Sequence, residues 1–102
     1  MVIDVSKNLY QLNGNVIMDV DEKGNATPAT LKLALVNAIL SSEPNEKPVD
    51  KLHKYELAKS IYKAEKEVEL KVEDVALIKR RVEDVYAPLI VGQVVELLEG
   101  KS

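Results

Sequence analysis

Between positions 29 and 41 the chain carries Leu31, Leu33, Ala34, Leu35, Val36, Ala38, Ile39 and Leu40, and only Lys32 and Asn37 interrupt them strongly. A helix made from this run is apolar on almost every side. Such a helix is stable only where neighbours cover more than one of its faces. The rest of the chain is therefore expected to be arranged around it, as around a central helix. Thr27-Pro28 predicts its start, because a Thr hydroxyl can cap free backbone N–H groups and Pro at the first helical position loses no hydrogen bond. The run stops well short of the ~20 apolar residues needed to cross a bilayer.

What surrounds this helix has to be aliphatic. Hydrophobic residues are 46 % of the 102 positions, yet Phe and Trp are absent and only four Tyr occur. The core must then be built from Val, Leu, Ile and Ala, and an aromatic platform for stacking bases or sugars is not to be expected. Cysteine is absent too. That excludes a disulfide scaffold, a thiol nucleophile, an iron–sulfur cluster and any Cys-bearing zinc site. Fourteen basic against 17 acidic residues leave a net charge of -3, which opposes nonspecific attraction to nucleic-acid phosphates. The length suits one small domain, with a hairpin region over 1–26 and a helical region over 27–100. Asp4 interrupts the basic-then-apolar layout of a secretory signal at once, so a soluble, intracellular protein is expected.

Ahead of the central helix, Val2, Ile3 and Val5 predict a strand. Residues 9–12 and about 16–20 predict a β-hairpin across Asn13-Gly14, the dipeptide that best tolerates positive φ in a tight turn. A lone hairpin is barely stable in water, so this one must pack on the helices. After a loop over 42–48, residues 49–66 predict a charged helix with Tyr55, Ala58, Ile61 and Tyr62 as its buried stripe. Alternation over 67–70 suits a short extended link or small strand. Residues 73–86 predict a third helix with Val75, Ile78, Val82 and Val85 inward. Pro88 breaks it and starts a fourth over about 89–99, stopped by Gly100. The expected architecture is α+β: an N-terminal β-hairpin on a compact bundle of about four helices. Leu31, Leu35, Ile39, Ile61, Ile78, Val82, Val94 and Leu98 form its expected core.

Reactive constellations are hard to find in this order of residues. Asp19-Val20-Asp21-Glu22-Lys23-Gly24 begins like a calcium loop, but position twelve, which needs a bidentate Glu, is Thr30. His53 is the only histidine, lies among charged residues, and has no nucleophile motif to serve. No Gly-rich phosphate loop, Gly-x-Ser-x-Gly turn or His-x-x-x-His pair occurs. The expectation is no catalytic residue, no cofactor and no metal. Lys79, Arg80 and Arg81 could serve a nucleic-acid-binding helix, although they precede the Tyr86-Ala87-Pro88 turn, whereas a reading helix follows it. Two features could meet a protein partner: the charged helix bearing Tyr55 and Tyr62, and the apolar C-terminal helix. On the latter, Leu89, Val91, Val94, Val95 and Leu98 are candidate interface residues, with a homodimer as one outcome and completion of a monomer core as the other.

Several segments carry a wider likeness. They are Val2-Ile3-Asp4-Val5-Ser6-Lys7, Leu12-Asn13-Gly14-Asn15-Val16-Ile17, the apolar helix over 30–40 and Tyr55-Glu56-Leu57-Ala58 with Ile61-Tyr62. Glu73-Asp74-Val75-Ala76-Leu77-Ile78-Lys79 and Pro88-Leu89-Ile90-Val91-Gly92-Gln93-Val94 complete the set. Together they resemble a group of short proteins of tailed bacteriophages and prophages. The likeness lies in packing patterns and brings no reactive group with it. It implies a viral gene product working in a bacterial cytoplasm. The expected role is non-enzymatic: a virion-assembly accessory or modulator of a host protein, acting on a phage or bacterial partner and self-associating in one version. A nucleic-acid-binding regulator is the alternative.

Overall fold

The computed structural model describes residues 1–100, so the last two positions of the expected domain lie outside the described residues. The order is β1 (Val2–Asp4), β2 (Met18–Val20), β3 (Ala26–Pro28), α1 (Leu31–Leu40), α2 (Pro48–Lys63), β4 (Glu67–Glu69), α3 (Val72–Val85) and α4 (Pro88–Leu98). This is the α+β arrangement, with four helices and short antiparallel strands. All eight aliphatic residues expected in the core are buried. Ile3, Val5, Leu9, Leu57 and Leu70 join them, so the N-terminal segment contributes to the interior directly.

The central helix starts later than Thr27-Pro28. Those two residues lie in β3, where Pro28 faces Met18 on a ribbon with open edges that does not need its missing N–H. Thr30 supplies the cap instead, its hydroxyl accepting from the Leu33 N–H at 3.4 Å. The N–H groups of Leu31 and Lys32, also without partners inside the helix, donate to the Lys7 and Val5 carbonyls at 2.8 and 2.9 Å. The N-terminal segment thus serves as a second cap, which ties it to α1.

The hairpin across Asn13-Gly14 exists but is shorter than expected. Gln11 N–H donates to Asn15 O, Tyr10 bridges to Val16, and Gly14 takes φ +90° in the turn. Beyond Val16 the strand leaves residues 9–12, and β2 pairs with β3. The switch happens at a ring of three hydrogen bonds, each 2.8 Å long: Leu9 N–H to Ala29 O, Ala29 N–H to Ile17 O, and Ile17 N–H to Leu9 O. Around that ring the pairs Asn8–Thr30, Tyr10–Val16 and Met18–Pro28 begin three antiparallel arms. The result is a three-way junction, in which one arm leads into the body and two project from it.

β1 pairs with β4 in the register Val2–Glu69, Ile3–Val68, Asp4–Glu67. The short strand expected near 67–70 is therefore present, and its partner is the N-terminus. The hairpin and helical regions expected on either side of residue 26 are interleaved by this pairing.

Two helices turn differently from their expected stripes. In α2 the buried residues are Lys54, Leu57, Ala58 and Ile61, while Tyr55 and Tyr62 are 55 and 61 % exposed. Leu57 can be buried without a partner, whereas each tyrosine hydroxyl would have needed one. In α3, Ile78 and Val82 point inward as expected. Val85 is exposed, and Asp74 and Arg81 are buried in its place.

Candidate functional site

The loop between α1 and α2 folds back over charged side chains from two helices. Lys54, buried on α2, donates to Glu43 Oε2 at 2.9 Å, to Glu46 Oε2 at 2.8 Å and to the Ser41 carbonyl at 3.2 Å. Arg80 and Arg81 approach the same loop from α3. Arg80 pairs with Glu43, while Arg81 lies 3.3 Å from Glu43, 2.9 Å from Asp84, and donates to the Ser41 hydroxyl. The Nε–H of Arg81 is buried without an acceptor among the described residues. The loop closes on itself through the Glu43 N–H, which donates to Glu46 Oε1, with Asn45 in the left-handed region at φ 61°. Arg80 first and Lys54 next hold the Glu43 carboxyl at about 2. Lys54, then the Glu43 N–H, lowers that of Glu46.

This cluster is internally neutralised. Its carboxylates are spent on cations, and a carboxylate held near 2 is no general base at neutral pH. An open cleft of about 270 Å³ beside it is lined by Glu43, Glu46, Asp50, His53 and Arg80 among others. His53 there is 3.2 Å from Asp74, whose other oxygen accepts the Lys71 N–H at the start of α3. Asp74 thereby caps a helix.

The candidate nucleic-acid residues do not share a surface. Arg81 faces inward, Arg80 bonds the loop, and Lys79 lies 3.9 Å from Glu99 at the C-terminal end of α4. The calcium-like stretch forms the β2–β3 turn, where Asp21 accepts the N–H groups of Lys23 and Asn25 at 2.9 Å and Gly24 takes φ +83°. Among the described residues no group of three or more His, Asp and Glu side chains could hold a metal ion. No described helix is long and apolar enough to cross a membrane.

The candidate interface on α4 is divided by the fold. Val94 and Leu98 are fully inside the core, Val91 packs against it, and Leu89 and Val95 are half-buried. Gln93 is the polar residue of this helix that reaches the N-terminal segment. Its side chain receives the Tyr10 N–H and donates to the Tyr10 carbonyl, both at 2.7 Å. One amide thus stands in for a neighbouring strand and fastens the junction to α4.

An apolar-walled recess lies elsewhere, between α1 and α2. A groove of about 330 Å³ is lined by Val36 and Leu40 from α1 and by Tyr55, Ala58, Lys59 and Tyr62 from α2. Leu40 is 54 % exposed. Two lysines reach over its rings: Lys59 Nζ is 5.8 Å from the Tyr55 centroid, and Lys32 Nζ is 5.9 Å from that of Tyr62. The exposure of Tyr55 and Tyr62 was hidden in the sequence because their spacing with Ala58 and Ile61 equally suits a buried stripe. Comparisons with protein-family models, curated proteins and solved structures found no match.

Proposed function

We propose that the protein is a non-enzymatic accessory protein of phage type that works by protein–protein contact, through the groove between α1 and α2. The context, virion assembly or modulation of a host protein, rests on the sequence resemblance. The observation that carries the binding role is the groove itself, where Leu40, Tyr55 and Tyr62 stay exposed side by side along two packed helices. Tyrosine is among the residues that contribute most per side chain to binding energy at protein interfaces. The C-terminal helix supports the role less, since Val94 and Leu98 are committed to the core. The alternative on Lys79, Arg80 and Arg81 has less support still, because the first two are ion-paired and the third is buried.

Affinity capture from bacterial lysate tests this reading. The intact chain and a Val95→Glu variant should retain the same partner, and a Leu40→Glu/Tyr55→Ala variant with unchanged circular dichroism should lose it. Equal capture by all three, or loss with Val95→Glu alone, would overturn the groove as the binding surface.

A further inference from the structure

The charge along the groove points to what it binds, an inference that rests on the binding role just proposed. At 100° per residue, Lys51, Tyr55, Lys59 and Tyr62 fall within an arc of about 80° on α2, and no carboxylate falls between them. α1 adds Lys32 next to the groove, over the Tyr62 ring, where its Nζ also donates to the Ala64 carbonyl at the end of α2. None of these three lysines is ion-paired among the described residues. In a chain of net charge -3, this border is of the opposite sign. Lys59 and Lys32 each stand over a tyrosine face, so a visitor meets a cation and an apolar ring together at two places along the groove.

The walls also set the shape of the visitor. Residues 32–40 of α1 extend about 12 Å and residues 51–62 of α2 about 16 Å. Their backbones are hydrogen-bonded within the helices and offer no edge to which a strand could be added. A helix laid along two helices presents apolar side chains at i, i+3 or i+4, and i+7, which matches a floor of Val36, Leu40 and Ala58 between two tyrosines. We propose that the groove takes one amphipathic helix of a partner protein whose apolar stripe is flanked by Asp or Glu. The carboxylates would pair with Lys32, Lys51 and Lys59.

The test uses the intact chain and two labelled helical peptides of about four turns. They share a leucine stripe and carry either Glu or Lys beside it. Vesicles of phosphatidylglycerol serve as a third probe, since lysines and tyrosines also suit an anionic membrane surface. Fluorescence anisotropy should show the Glu peptide bound at least about tenfold more tightly than the Lys peptide, with the difference shrinking as salt rises. The Tyr55 and Tyr62 ring resonances should shift on binding. A Lys32→Glu/Lys59→Glu variant of unchanged circular dichroism should reverse the preference. Equal binding of the two peptides, a preference untouched by charge reversal, or lysine-dependent binding to vesicles alone would overturn the proposal. So would a dimer of the intact chain that occludes the groove. If lysate capture still depends on Leu40 and Tyr55 while the acidic preference is missing, only this inference falls. If both are missing, the binding role falls with it.

Discussion

Lys54 and Arg81 are both buried cations, yet they stand in different positions toward the carboxylates they hold. Among the described residues Glu46 has Lys54 as its only cationic partner within ion-pair distance, whereas Glu43 keeps Arg80 if Arg81 is removed, and Asp84 lies in solvent. Lys54→Met would leave the half-buried Glu46 carboxylate without its cation and should lower stability clearly. Arg81→Met also removes the unsatisfied Nε–H and should cost less than Lys54→Met. Urea unfolding of the two variants measures the contrast, and equal losses would contradict it. The same carboxylates give stability a direction with pH. The folded-state values of Glu43 and Glu46 lie below the ordinary 4.5, so their contribution is complete above that value. It is lost as pH falls toward about 2, where Glu43 takes up its proton. The urea midpoint should therefore fall steadily from about pH 5 downward, and less steeply in a Glu43→Gln variant. None of this was legible in the sequence. Lysine and arginine are read as surface residues by default, and the partners of Lys54 are fixed only once the 41–47 loop folds back.

Helices and strands differed in how much they disclosed. Each helix carries its own period, and Pro48, Pro88 and Gly100 mark the ends of two of them, so α2, α3 and α4 begin and end within a few residues of expectation. The strands are three residues each, too short to show a period, and β1 finds its partner more than 60 residues away. The junction of Leu9, Ile17 and Ala29 depends on three separate segments meeting, which no local pattern announces. Its attachment to α4 passes through Gln93, and that makes the attachment testable. Gln93→Leu removes both hydrogen bonds to Tyr10 and should cost about 1–2 kcal/mol. Amide exchange should quicken over residues 9–28 while the amides of α1 and α3 keep their protection, because the two projecting arms have few other contacts. A uniform rise in exchange across the chain would mean that Gln93 supports the core in general and does not act as a clasp.

The apolar circumference of α1 required cover on more than one side, and the fold meets that requirement incompletely. α2, α3 and the N-terminal segment bury Leu31, Ala34, Leu35, Ala38 and Ile39, but Leu40 stays at the surface beside the two tyrosines. An uncovered side on an otherwise surrounded helix has two physical readings: it is a tolerated remnant, or it is kept for a partner. Stability separates them from binding. Because Tyr55 and Tyr62 are mostly exposed, Tyr55→Ser and Tyr62→Ser should each change unfolding free energy by no more than about 0.5 kcal/mol. If the groove is kept for a partner, the same pair of substitutions should abolish capture of that partner, although the urea midpoint hardly moves. If the tyrosines instead shield α1 from water, the midpoint will drop and capture will fall only in proportion to the unfolded fraction. The outcome can be read by measuring both quantities on one preparation, since folded protein that no longer binds is compatible only with a surface whose apolar character serves recognition.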